Sequence, residues 1–158
     1  MDFQVGDNVI HRTFGLGEIT DIEEKVINGT PVNCYVVQVN HTTIWVPADT
    51  PGQNSLRTPT PPEEFIKTIE ILTTPHDTMD GDRLLRKKQL LDQLRDGQLT
   101  SICQVIRDLS YYKRTSKLND QEKSILDHAV DSLLMEWSRS MEIPLDEAQK
   151  TMETMLQA

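Results

Sequence analysis

The hydrophobic pattern of this chain changes period once, near residue 60, and no other feature constrains its fold as strongly. Before about residue 58, apolar and polar side chains alternate, the two-residue repeat of a half-buried strand. After Thr60 the apolar residues recur at intervals of three and four, as on one face of a helix. Two periodicities in two halves predict an α+β protein: a small five-stranded β-barrel followed by a compact helical bundle.

Local chemistry places the strands. Val5, Val9 and His11 alternate with Asp7, and Gly15-Leu16-Gly17-Glu18-Ile19-Thr20-Asp21-Ile22 follows as a second strand. Asn28-Gly29 marks a hairpin turn that needs φ > 0. Cys34 to Val39 suits a third strand, Asn40-His41 turns the chain, and Thr43-Ile44-Trp45-Val46 makes a fourth. Pro47 ends that strand or sets it at an edge, because proline has no ladder donor. Asp49 to Ser55 reads as a loop and Ser55-Leu56-Arg57 as a brief fifth strand. If Ile44 and Val46 fill the core, Trp45 points outward and is available as a partner anchor.

In the second half, Thr60-Pro61-Pro62-Glu63 carries a capping-box pattern ahead of Phe65, Ile69 and Leu72. Thr73-Thr74-Pro75-His76-Asp77 reads as the linker. The expected domains are therefore residues 1–73, a barrel with a terminal helix, and residues 74–158, a helical domain. Leu84, Leu91 and Leu94 share one face of the next helix, which Gly97 closes. Ile102, Val105, Ile106 and Leu109 define another helix. Asn119 to Glu122 caps a longer one whose stripe includes Leu126, Leu133 and Trp137, and Pro144 opens the last.

The net charge of −9 argues against a general nucleic-acid coat protein, since phosphate binding needs a positive surface. It leaves room for local basic patches, and two stand out. Arg83, Arg86 and Lys87 fall at i, i+3 and i+4, with Lys88 beside them, and predict a basic ridge. Tyr111-Tyr112-Lys113-Arg114-Thr115-Ser116-Lys117 sits at a helix end, where cations complement the helix dipole or contact phosphate. Cys34 and Cys103 lie far apart among apolar neighbours, so reduced thiols are expected rather than a disulfide or a zinc site. Nothing resembles a signal peptide or a membrane-spanning run, so a soluble cytoplasmic protein is expected.

Catalytic patterns are missing from the sequence. His11, His41, His76 and His128 stand at no metal-ligand spacing, and Gly15-Leu16-Gly17 is too short for a dinucleotide fingerprint. The adjacent carboxylates Glu23-Glu24 and Glu63-Glu64 point in different directions. An enzyme is not expected, nor a cofactor.

Several stretches together resemble the CarD/CdnL family of bacterial RNA-polymerase-binding proteins. They are Phe3-Gln4-Val5-Gly6-Asp7-Asn8-Val9, the strand from Gly15 to Ile22, Tyr35-Val36-Val37, Val46-Pro47-Ala48, Leu56-Arg57 and the helix Pro62 to Leu72. In the second half they are Gly97 with Val105-Ile106-Arg107-Asp108-Leu109, then Leu118-Asn119-Asp120-Gln121-Glu122-Lys123. The resemblance implies an N-terminal Tudor-like barrel that docks on the RNA polymerase β subunit by strand addition and charge contacts. It also implies a helical domain that touches promoter DNA at the upstream edge of the bubble and stabilises the open complex. By position, Lys25 falls where the family usually has a polymerase-binding arginine, and Trp45 where it often has another basic residue. The family tryptophan that wedges against DNA is replaced here by Arg83, counting back from Gly97 without gaps.

The resulting expectation is a polymerase-tethered transcription regulator. Lys25 and Trp45 would face the polymerase β subunit, and Arg83, Arg86, Lys87, Lys88, Lys113 and Arg114 would face DNA. The alternative is an adaptor on polymerase whose acidic helical domain recruits or blocks another protein without binding DNA.

Overall fold

A computed structural model of the protein describes residues 3–48 and 55–157. The loop read at Asp49 to Ser55 lies outside these residues up to Asn54. The chain forms two compact units, Met1–Pro59 and Thr60–Ala158.

The first unit is a five-stranded antiparallel sheet of β1 (Asn8–His11), β2 (Gly15–Ile27), β3 (Thr30–Val39), β4 (Thr42–Pro47) and β5 (Leu56–Arg57). The strands lie in the order β4-β3-β2-β1-β5, so Pro47 falls on an edge strand, where its missing donor costs least. Asn28 (φ 51°) and Gly29 (φ 78°) make the two-residue turn between paired Ile27 and Thr30. Val9, Ile19, Tyr35, Val37, Val39, Val46 and Leu56 form the core. Two glycines shape the first hairpin for different reasons. Gly15 takes φ 83° at the turn. A Cβ on Gly17 would lie 2.8 Å from methyls of Val37 and Val39 and 2.9 Å from the Gln38 carbonyl oxygen. β-Branched neighbours cannot rotate away, so Gly17→Ala should destabilise this unit by about 1–3 kcal/mol, read as a lower midpoint in chemical denaturation.

His11 closes the same turn. Its Nδ1 accepts from the backbone N–H of Thr13 (3.0 Å) and of Phe14 (3.2 Å). Burial, with Arg12 nearby, lowers its pKa and holds the ring neutral. It is thus a satisfied polar group of the turn.

The second unit contains α1 (Pro62–Ile69), a 3-10 turn (Glu70–Thr73), α2 (Arg83–Leu94), α3 (Leu99–Thr115), α4 (Asp120–Met141) and α5 (Leu145–Leu156). Asn119 makes the full capping box with Glu122, as the sequence reads, and Gly97 sits at φ 68° beyond α2. Trp137 is buried in the core beside Phe65. No helix among the described residues is long and apolar enough to cross a membrane.

Two sequence readings change here. Thr60 forms no capping box. Its N–H and hydroxyl both donate to buried Glu136 of α4, at 3.0 and 2.7 Å, and Pro61 is the N-cap. The boundary expected after residue 73 falls instead at Pro59/Thr60, because Phe65, Ile69 and Leu72 share one core with α3 and α4. The segment read as a linker is held to α3. Arg107 donates to Thr74 Oγ1 (2.8 Å) and pairs with Asp77 (3.2 Å), and His76 stacks on Tyr111 at 3.5 Å.

Candidate partner and nucleic-acid interfaces

The outer face of the sheet is set by one extra residue. β2 and β3 pair as Ile19↔Val37, then Asp21↔Val36, so Thr20 is a bulge. The bulge lets both Ile19 and Ile22 face the core, and alternation beyond it turns Glu23 and Lys25 outward. On edge strand β4, Val46 is buried and Trp45 is 46% exposed, the outward placement read from alternation.

These three side chains meet. The Trp45 indole N–H donates to Glu23 Oε2 at 3.0 Å. Lys25 Nζ lies 3.8 Å from the same carboxylate and 4.8 Å from the indole centroid. Since β3 runs between β2 and β4, the indole reaches across the β3 face that carries Cys34 and Val36. Both are buried although they lie outside the core cluster. Lys25 and Trp45, singled out separately in the sequence, thus form one patch, with Glu23 as the residue that sequence reasoning missed. Its carboxylate fixes the ring and the ammonium relative to one another, and only the bulge reveals its direction.

In the helical unit the basic ridge divides. Asp82 caps α2 by accepting from the N–H groups of Leu84 and Leu85. Arg83 and Lys88 are exposed and Lys87 is half-buried. Arg86 is turned inward and only 6% exposed, which corrects its reading as a solvated DNA contact. Its Nε donates to Glu122 of α4 at 2.5 Å, its Nη1 donates to the Asp80 carbonyl at 3.0 Å, and its guanidinium lies 4.9 Å from the Tyr112 ring centroid. Arg86 and Leu90, one turn apart, are therefore the inward positions of α2. Of the three leucines read as one face, Leu94 packs against the core, whereas Leu84 and Leu91 share the outer face, with Leu84 77% exposed. That face alternates leucines with Lys87 and Lys88 at helical spacing.

The knot at Arg86 joins the start of α2 to the end of α3 and the start of α4, which brings the helices of the two basic clusters together. Lys113 is exposed and borders a hollow with Lys117 and Lys123. Arg114 donates to the Leu156 carbonyl at the end of α5. Cys103 is buried beside α4, and burial with Glu136 nearby raises its pKa to about 12, so it stays a neutral thiol. Among the described residues no group of three His, Cys, Asp or Glu side chains could hold a metal ion.

The comparisons agree with this two-part construction. Residues 3–58 match the CarD-like/TRCF RID domain, and residues 67–153 match the family described as CarD, C-terminal domain. The candidate transcription factor YdeB of Bacillus subtilis (strain 168) is 29% identical over 140 residues, covering 85% of this chain and 89% of the relative. The two matches run in order, cover both units and make this chain a member of the CarD-like family of transcription factors.

Proposed function

We propose that the chain is a transcription regulator that docks on the β subunit of RNA polymerase through its sheet and stabilises the promoter open complex through weak DNA contacts from α2. The observation that carries the docking half is the Glu23–Lys25–Trp45 patch beside edge strand β4. An edge strand offers backbone groups for strand addition, and a partly fixed aromatic beside a cation supplies an anchor. For DNA, Arg83, Lys87 and Lys88 are the proposed contacts, with Leu84 as the apolar residue beside them. Arg86 serves by holding α2 in place, and Arg114 by closing α5.

Two measurements test the proposal. A purified polymerase β-subunit fragment should bind the native chain and lose affinity with Lys25→Glu; no binding to the fragment would refute the docking half. On a promoter, the native chain should lengthen open-complex lifetime, and Arg83→Ala with Lys87→Ala and Lys88→Ala should shorten it again. If about three phosphates are neutralised, the DNA-dependent part should fall with salt at a log–log slope of roughly −2 to −3. A flat salt response would refute the DNA half.

A further inference from the structure

The turn between α3 and α4 carries a second surface with chemistry unlike that of α2. A hollow of about 370 Å³ opens there. Leu118 and Leu126, both buried, belong to its lining, and Lys113, Lys117 and Lys123, all exposed, surround them. One carboxylate, Asp127, lies among the three ammonium groups, so the rim is positive in a chain whose net charge is −9. The volume lies within the range of small binding pockets.

We infer that this hollow docks an acidic peptide segment with a leucine-sized apolar anchor, the anchor resting on Leu118 and Leu126 and the flanking carboxylates facing Lys113, Lys117 and Lys123. Charge selects the partner's sign, and the apolar floor distinguishes a peptide from a duplex. A DNA backbone presents charge and sugar to a surface and has no side chain to fill a concave apolar floor. Exposed lysines contribute chiefly to encounter rate and salt sensitivity, while the buried anchor sets the lifetime of the complex. The inference uses none of the residues of the sheet patch or of α2, so it stands whether or not those bind polymerase and DNA. It takes Lys113 out of the DNA face.

The test uses the full chain and a fluorescein-labelled peptide, Glu-Asp-Glu-Leu-Leu-Asp-Glu, followed by fluorescence anisotropy. A second peptide has both leucines replaced by serine, and a short DNA duplex serves as competitor. The leucine peptide should bind about tenfold more tightly than the serine peptide, a difference of about 1.4 kcal/mol. Lys117→Glu with Lys123→Glu should weaken it about tenfold or more, with an unchanged circular-dichroism melt showing that the fold persists. The inference fails if the leucine peptide does not bind, if both peptides bind equally, or if charge reversal has no effect. It also fails if the duplex displaces the peptide and duplex binding is lost with the same two substitutions, which would make the hollow a nucleic-acid site.

Discussion

Glu122→Gln is expected to destabilise the helical unit by about 3–5 kcal/mol, because it leaves the buried Arg86 without its counter-charge. Glu122 and Arg86 are both buried and paired at 2.5 Å, and the other Glu122 oxygen accepts from the Asn119 N–H at 3.0 Å. Burial alone would raise the Glu122 pKa. The hydrogen bonds from Arg86 and Asn119, with the charges of Arg86 and Arg83, outweigh it and leave the value below normal. Glutamine preserves the capping box but leaves a guanidinium that cannot deprotonate without its counter-charge. Arg86→Met should cost less near neutral pH and least in acid, because the orphaned carboxyl can take up a proton. Arg86→Met combined with Glu122→Gln should recover more than half of the loss, since no buried charge remains. Simple additivity of the two single effects in thermal or urea unfolding would show that the pair is not coupled. The pH dependence has a definite sign. A carboxyl whose folded pKa is lowered contributes stability that is complete above the unfolded value of 4.5 and lost as pH falls through the folded value. Native unfolding free energy should therefore drop in that acid window, and the double variant should drop less.

That ion pair also explains which part of the fold was hidden in the sequence. The Asn119 cap, the Asn28-Gly29 turn and the Pro47 edge were legible because each depends on local chemistry. The inward position of Arg86 was not, because its partner is 36 residues away and a cation at helical spacing reads as a solvated ridge. Once Arg86 faces in, Leu84 and Leu91 must face out, so one distant contact reverses two of the three leucines read as one face, while Leu94 still packs against the core. The domain boundary was misplaced for a related reason. The stretch Thr73 to Asp77 has the composition of a linker, yet Arg107 and Tyr111 of α3 hold it. The long arms of β2 and β3 around Asn28-Gly29 also escaped detection. Val26 and Ile27 are exposed there, so no core-facing alternation marks them. At the sheet patch, alternation correctly predicted the direction of Trp45. The convergence of Glu23 and Lys25 with it required the Thr20 bulge, which sequence periodicity does not announce.

Trp45→Ala is expected to weaken binding to the polymerase β-subunit fragment by about 30-fold or more, roughly 2 kcal/mol, while leaving the sheet folded. The ring is half exposed in the free protein and oriented by the Glu23 hydrogen bond and the neighbouring Lys25, which lowers part of the ordering cost when a partner covers it. Truncation removes both the apolar area and the indole donor. Trp45→Phe keeps most of the area but loses the bond to Glu23, and should fall between native and alanine. Glu23→Gln separates positioning from contact: it keeps an acceptor for the indole but removes the charge that draws Lys25 in, so its effect should grow at low salt. Lys25→Glu reverses a charge at the patch and should act mainly on association rate, with a marked salt dependence. Equal affinities for native and Trp45→Ala, with melts confirming both folded, would remove Trp45 from the interface. A loss that tracks only salt would assign docking to charge, with the ring covering Val36 and Cys34 and nothing more. A loss seen chiefly in dissociation rate, insensitive to salt, would identify Trp45 as the anchor by which the sheet holds its partner.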